Sequence, residues 1–316
     1  MIHPEVKKIA EDIRTMRTRG AGRIARAAAR ALKVVATSTK AETKAQFMDE
    51  LNKVVKLLLS TRPTAVSLPN AIRFVVRRSE LESIEDLGEI RRLIVSRANE
   101  FIRLSLGAIK RIGEIGSRRI LDGDTIMTHC NSACALSIIK TAHSQGKDLE
   151  VFVTESRPRR QGLITARELT KAGVRTTLIV DSAARYFMKE VDKVIVGADS
   201  IAANGAVVNK IGTSSLALAA NEARVLFFVA AESYKFHPET LVGELVEIEE
   251  RDPREVFNPK RIEGLRIRNP AFDVTPPEYI DLIITERGII PPQAAYTILR
   301  EHFEWKLDEE LLPDQK

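Results

Sequence analysis

Apolar and polar positions follow two different periods along the chain. Up to about residue 115 the apolar residues recur every three or four positions, the period of an amphipathic helix. Val6, Ile9, Ala10 and Ile13 form one such stripe, and Pro4 suits the first turn of a helix over residues 4–17. Further helices are predicted over 41–60, from Pro69 to about Arg78, and from about Ile84 to Gly113. The last carries Leu87, Ile90, Leu93, Ile94, Ala98, Ile102, Leu106 and Ile109 on one face. From residue 124 the pattern changes to short apolar runs that alternate with helical stretches. Strands are predicted at Thr125–Thr128, Glu150–Thr154, Thr176–Val180, Lys193–Val196, Arg224–Val229 and Asp281–Thr285, with helices near 133–144, 162–172, 182–189 and 213–222. Such β-α repetition predicts a parallel sheet covered by helices on both faces. The fold class expected is α/β: an all-helical N-terminal domain, 1–115, followed by a Rossmann-like parallel-sheet domain, 116–316.

Open parallel sheets bind ligands beyond the carboxyl ends of their strands. The residues at those ends are therefore the candidates for chemistry. They are His129-Cys-Asn-Ser132, then Glu155-Ser-Arg-Pro-Arg-Arg-Gln-Gly162, Asp181-Ser182, Gly197-Ala-Asp-Ser200, Glu232-Ser-Tyr-Lys235 and Glu286-Arg-Gly288. A Gly/Asn-rich segment, Ala203 to Thr213, contains Lys210. Each could be turn chemistry, since Asn, Asp and Gly favour turns. Together they place a thiol, acids, two lysines and an arginine at one edge. Cys130 stands between a strand and a helix N-terminus, where the helix dipole favours an anion and hence a thiolate. The same residue could instead pack a strand end as a small apolar group.

One motif in the helical part needs separate treatment. Gly20-Ala-Gly-Arg-Ile-Ala25 matches the dinucleotide fingerprint G-x-G-x-x-A. A helix precedes it, not a strand, so the βαβ setting that gives the fingerprint its meaning is missing. A Gly-rich break at a helix start flanked by Arg19 and Arg23 can still receive a phosphate on backbone N–H groups, or be a plain interhelical turn.

Composition narrows the classes. In a chain of 316 residues with 44% hydrophobic content, a substantial core is available. No apolar run reaches membrane-spanning length and the first residues lack a signal-peptide core, so a cytoplasmic protein is expected. Two cysteines four apart make no disulfide framework. No second Cys/His cluster completes a metal site around His129, Cys130 and Cys134, so none is expected. Residues 1–120 hold 25 Lys+Arg against 13 Asp+Glu, a balance of +12, whereas 121–316 hold 24 against 30, a balance of −6. A basic first third suits nucleic acid, an acidic partner, a phosphorylated substrate or merely solvated helix faces. Its lack of interleaved aromatics argues against a nucleic-acid platform.

Several of these motifs together resemble one superfamily. They are Thr128-His-Cys-Asn131, Glu155-Ser-Arg-Pro158 with Gln161-Gly162, Gly197-Ala-Asp199, Asn204-Gly205, Asn209-Lys-Ile-Gly-Thr213 and the Arg19-Gly20-Ala21 turn. The superfamily joins methylthioribose-1-phosphate isomerases, archaeal ribose-1,5-bisphosphate isomerases and the regulatory α, β and δ subunits of translation initiation factor 2B. The regulatory subunits usually lack the Cys of the His-Cys-Asn turn, so Cys130 favours an enzyme. Length, Arg19-Gly-Ala-Gly22 and Ser132-Ala-Cys134 resemble the ribose-bisphosphate branch.

That resemblance implies isomerisation of ribose 1,5-bisphosphate to ribulose 1,5-bisphosphate in AMP degradation, through ring opening and a phosphoenolate. Cys130 would be the base and Asp199 the acid, held neutral by an apolar setting. One phosphate is assigned to Arg19, Gly20, Ala21 and Gly22 with Arg62, a placement that implies closure of the helical domain over the sheet. The other end of the substrate is assigned to Ser132, Ala133, Cys134, Asn209, Lys210 and Lys235. Arg157 is added from its strand-end position. The resemblance also implies AMP as an activator, no required cofactor, and a dimer-based homo-oligomer, a hexamer in the archaeal isomerases. The competing expectations are a regulatory subunit that binds initiation factor 2 without turnover, and a methylthioribose-1-phosphate isomerase.

Overall fold

A computed structural model describes residues 2–62, 66–238, 240 and 246–302. By compactness the chain divides into two units at Gly107/Ala108, inside one long helix, and again at Leu299/Arg300, inside the last described helix.

The first unit is helical. It contains α1 (Pro4–Arg14), α2 (Ala21–Ser38), α3 (Lys44–Leu59), α4 (Ser67–Val76), α5 (Arg78–Ser83) and the first part of α6 (Leu87–Gly116). Local chemistry sets the ends. His3 accepts from the Glu5 N–H ahead of Pro4, and Thr43 Oγ1 accepts from the Gln46 N–H while the Gln46 side chain returns to the Glu42 N–H. The helix predicted to run to Arg78 stops earlier, because Arg77 adopts φ 32° and splits α4 from α5. Helix α2 is the hub and packs on α1, α3 and α4. Ile24, Ala28, Leu32 and Val35 on one side of α2 are buried, as are Phe47, Leu51 and Leu58 of α3.

The second unit is α/β. Its strands are β1 (Thr125–Thr128), β2 (Glu150–Thr154), β3 (Arg175–Ile179), β4 (Lys193–Gly197), β5 (Ser200–Ile201), β6 (Val207–Lys210), β7 (Leu226–Ala230), β8 (Phe272–Thr275), β9 (Leu282–Thr285) and β10 (Gly288–Ile290). Its helices are α7 (Ala133–Ser144), α8 (Gly162–Lys171), α9 (Ala184–Phe187), α10 (Thr213–Ala223) and α11 (Ala295–His302). The main sheet has the order β10-β9-β7-β4-β1-β2-β3, parallel throughout except for β10. The six parallel strands lie where the sequence predicts them, within about two residues. The central strands are covered on both faces and read as continuous apolar runs: Val194, Ile195 and Val196 of β4 are fully buried, as are Ile126 and Met127 of β1.

Strand order reverses between β1 and β4. From β1 the chain moves outward through β2 and β3, and then returns to build β4, β7 and β9 on the other side. That reversal is a topological switch point, where a crevice opens at the strand ends. A small antiparallel sheet, β5-β6-β8, lies apart from the main one and was not expected from the sequence.

Candidate active site

The two ends that flank the switch point carry the predicted thiol and acid. Strand β1 runs into His129-Cys130-Asn131, and Ser132 caps α7 by accepting from the Ala135 N–H at 3.3 Å. The N–H groups of Ala133 and Cys134 open the first turn of that helix. Strand β4 ends at Gly197, and Asp199 follows after Ala198, with its N–H bonded to the Val208 carbonyl of β6 at 2.9 Å. The two ends touch. A methyl group at Gly197 would come within 2.5 Å of Ser132 Oγ, so only glycine allows this approach.

Cys130 sits in the left-handed region, with φ 66°. Its N–H donates to Ser156 Oγ at 2.7 Å, and its carbonyl accepts from Thr165 Oγ1 at 2.7 Å. Asn131 Nδ2 donates to the same Thr165 oxygen at 3.0 Å. Ser156 is held in turn, because its N–H and that of Arg157 donate to the two oxygens of Asp181, each at 2.7 Å. His129 is buried. Its Nε2–H donates to the Ile211 carbonyl at 2.8 Å, which leaves Nδ1 to accept from Thr154 Oγ1 at 2.6 Å. Burial lowers the His129 pKa, so the ring is a neutral structural strut at pH 7.

Burial pushes the Cys130 thiol up to about 11, against the pull of Lys210, and the negative charge of Asp199 adds to the rise. Cys130 stands two residues ahead of the Ser132 cap, outside the first turn of α7, where the helix-end field is weaker.

Lys210, at the end of β6, is thus brought within electrostatic reach of Cys130. Its ammonium donates to the Ala271 carbonyl at 2.8 Å and lies 4.7 Å from the centre of the Phe272 ring. Asn209 beside it is buried and donates to Thr213 Oγ1 at 3.0 Å. Lys235 is buried and paired with Glu232 at 2.7 Å. Burial opposes its charge, but Glu232, Cys134 and Asp199 together hold the Lys235 pKa above its ordinary value. Cys134 is buried in α7, where desolvation and the neighbouring Glu232 raise its thiol. Arg157 is not drawn into this cluster. Its side chain is exposed and donates to the Val256 carbonyl at 3.4 Å.

In the helical unit, Arg19 and Arg62 converge on one residue. Arg19 Nε donates to the Met16 carbonyl at 2.7 Å, and Arg62 Nη1 lies 2.9 Å from Met16 Sδ. Gly20 is the N-cap of α2, with φ 85° and no capping side chain, so the N–H groups of Ala21 and Gly22 open that helix without a side-chain cap.

Some of the site was not anticipated from the sequence. Asp273, on β8, accepts from the N–H groups of Gly212 at 2.7 Å and Ser214 at 3.2 Å, and so anchors the turn after Lys210. Nothing local marks it, because β8 is recognisable only through its pairing with β6. Thr165 lies on α8, away from any strand end. Among the described residues, no group of three or more His, Cys, Asp and Glu could hold a metal ion.

The family model described as the initiation factor 2 subunit family matches residues 17–292. The chain belongs to that family. Among its relatives, the ribose 1,5-bisphosphate isomerase of Pyrococcus furiosus is 57% identical over 311 residues, covering 96% of each chain. The protein of the same name from Thermococcus kodakarensis is 56% identical over 312 residues, again covering 96% of each. A crystal structure of the Pyrococcus horikoshii OT3 translation initiation factor eIF-2B superposes with a TM-score of 0.78 at 37% identity, covering 92% of this chain and 98% of that one. The resemblance drawn from the motifs and the α/β fold class are both borne out. Within the family, the high identity over nearly full length lies with proteins named as enzymes. No helix among the described residues is long and apolar enough to cross a membrane.

Proposed function

We propose that this family member is an aldose–ketose isomerase that converts ribose 1,5-bisphosphate to ribulose 1,5-bisphosphate in the breakdown of AMP. The near-full-length identity to proteins of that name supports the substrate. The observation that carries the chemistry is the placement of Cys130 and Asp199 on the two sides of the switch point, close enough for the Asp199 charge to act on the thiol.

The phosphate ester at C1 blocks ring opening to a free aldehyde, so an acid must help the ring oxygen to leave. Asp199 gives its proton to that oxygen. Cys130 takes the proton from C2, which leaves an enol whose C1 still carries the phosphate. In the second half Cys130 returns the proton to C1, and the C2 hydroxyl gives its proton to Asp199 as the carbonyl forms. The pair thus holds one proton at the start of each half-reaction and is restored at the end. This sharing fits the electrostatics. A proton on Asp199 removes a charge that raises the Cys130 thiol, so the thiolate and the neutral acid favour each other. Excluding water from the site would protect the enol from side reactions.

Lys210, Asn209 and Lys235, with the first turn of α7 at Ser132, Ala133 and Cys134, would bind one end of the substrate. Arg19, Arg62 and the N–H groups of Gly20, Ala21 and Gly22 would bind a phosphate. Arg157 keeps a place only if it leaves Val256 when substrate binds. AMP as an activator and a dimer-based hexamer belong to the same proposal. The chain would require no cofactor and would act in the cytoplasm.

The test is conversion of ribose 1,5-bisphosphate by wild type and Cys130→Ser, with and without AMP, with methylthioribose 1-phosphate as the competing substrate. Turnover of the bisphosphate that falls by roughly a thousandfold or more in the variant is expected. Wild type inert on both sugars would overturn the isomerase reading in favour of a regulatory subunit.

A further inference from the structure

The residue that would do the proton transfer is held by its backbone rather than by its side chain. Cys130 adopts φ 66°, a conformation that costs an L-residue with a Cβ and persists only where neighbours impose it. Both of its main-chain polar groups end on hydroxyls of the adjacent β2–α8 region. The N–H goes to Ser156 Oγ and the carbonyl receives Thr165 Oγ1, each at 2.7 Å. The two hydroxyls are 0% and 1% exposed, so water does not compete for them. Thr165 extends the hold to Asn131, whose side-chain amide donates to it. Ser156 is itself fixed in the left-handed region, φ 60°, by the Asp181 carboxylate at the end of β3. Three consecutive strand ends, those of β3, β2 and β1, are therefore linked by hydrogen bonds in one chain that includes Cys130.

We infer that Ser156 and Thr165 are positioning residues that lock the Cys130 turn and aim its sulfur at the substrate's C2. The inference rests on the isomerase reading for the last clause only; the lock itself concerns the thiol. Neither hydroxyl is asked to touch the substrate. Substrate would be bound normally without them, while the base would wander by a fraction of its working distance. Loss of geometry of that kind lowers kcat and leaves KM largely alone. A released turn would also open the partly buried Cys130 further to water.

The experiment compares wild type, Thr165→Val, Thr165→Ser and Ser156→Ala. Turnover of ribose 1,5-bisphosphate is measured alongside iodoacetamide alkylation of Cys130, read by mass spectrometry at about pH 8. Thr165→Val and Ser156→Ala are expected to lose roughly 10- to 100-fold in kcat with KM within about twofold. Both are expected to alkylate at least about fivefold faster than wild type, since thiol reactivity follows thiolate fraction and access. Thr165→Ser keeps the hydroxyl and should stay near wild type in both respects. A role in packing alone would lower the melting temperature without this opposed pair of changes. Unchanged kcat, a loss confined to KM, unchanged alkylation, or Thr165→Ser failing like Thr165→Val would each overturn the inference. If Thr165→Val does not fold, Ser156→Ala decides. Wild type without turnover would count against the isomerase reading, and alkylation would still decide whether the two hydroxyls lock the turn.

Discussion

The two flanks of the switch point are built from different materials. On the β1-β2-β3 side the contacts are short hydrogen bonds among mostly neutral groups: Ser156 and Thr165 on Cys130, Thr154 on His129, and main-chain N–H groups on Asp181. On the β4-β7-β9 side the site residues are charged. Asp199 follows β4, Glu232 and Lys235 follow β7, and Glu286, which follows β9, receives the Ser233 N–H at 3.0 Å. Lys210 joins them from the small sheet. The first flank decides where the sulfur sits. The second decides which charges it feels, and how easily it gives up a proton. The proposed proton transfer would need both, and the fold brings them to the two sides of the β1/β4 switch point.

The contrast is broken most severely by changing a charge without changing shape. Asp199→Asn keeps the β4 end intact but removes the proposed acid. We expect kcat to fall by roughly a thousandfold. The same substitution removes a negative charge that raises the Cys130 thiol, so alkylation of Cys130 at fixed pH should quicken. Lost turnover with faster alkylation marks a charge effect on a thiol still in place. A kcat within about threefold of wild type would remove Asp199 from the chemistry.

The next largest effect is expected within the charged flank. Burial opposes a charge on Glu232, yet Lys235 prevails and holds the carboxyl below its ordinary range, while Tyr234 also donates to it at 2.9 Å. Glu232→Gln would strand the Lys235 ammonium in the interior and is expected to cost on the order of 3–5 kcal/mol in chemical unfolding. The double variant Glu232→Gln/Lys235→Met should lose clearly less than the two single losses together, because no lone charge remains buried. Additive losses would mean that the pair acts through packing. No comparable coupling is expected between neutral members of the other flank.

A third effect lies at the seam. Gly197→Ala would drive a methyl group into Ser132 at the α7 cap. The cost is expected to be about 1–3 kcal/mol, as for an overpacked core, and the shift of β1 against β4 should lower kcat by roughly tenfold. Melting temperature and kcat together check it; an unchanged kcat would show that the two strand ends need not keep their spacing.

How legible these flanks are in the sequence follows from how local their signals are. The parallel strands announce themselves as buried apolar runs, and the His-Cys-Asn and Gly-Ala-Asp turns stand directly after them. Asp199 and Lys235 are therefore visible from order alone. The φ of Cys130 is not, because cysteine carries no preference for the left-handed region and the hydroxyls that impose it lie 26 and 35 residues further on. Strand β6 is hidden for another reason. Val207-Val-Asn-Lys210 follows Asn204-Gly205 and offers too short an apolar pattern, and its partner β8 begins about sixty residues later. The thiol's protonation is likewise out of reach, since a helix start in the sequence says nothing of how deeply the sulfur is enclosed.

The smallest effect tests the joint between the flanks, where Asp273 holds the turn that carries Lys210 to Gly212 against the His129 ring. Burial pushes the Asp273 carboxyl up to about 6, against the N–H groups of Gly212 and Ser214 that favour its charge. Between an ordinary value of 3.8 and about 6, the folded chain keeps a proton that the unfolded chain releases. The stability due to this group is therefore present below the ordinary value and is lost as pH rises through about 6. Asp273→Asn carries no such proton. The melting temperature of wild type minus that of the variant should fall between about pH 4 and pH 6 and be flat above, a change on the order of 1–2 kcal/mol once partial exposure is allowed for. Other carboxylates titrate in both proteins and cancel in the difference. Parallel curves across that window would mean that Asp273 is ionised throughout, with its charge fully met by the two N–H groups and Lys210, and the small sheet would then belong to the charged flank without reserve.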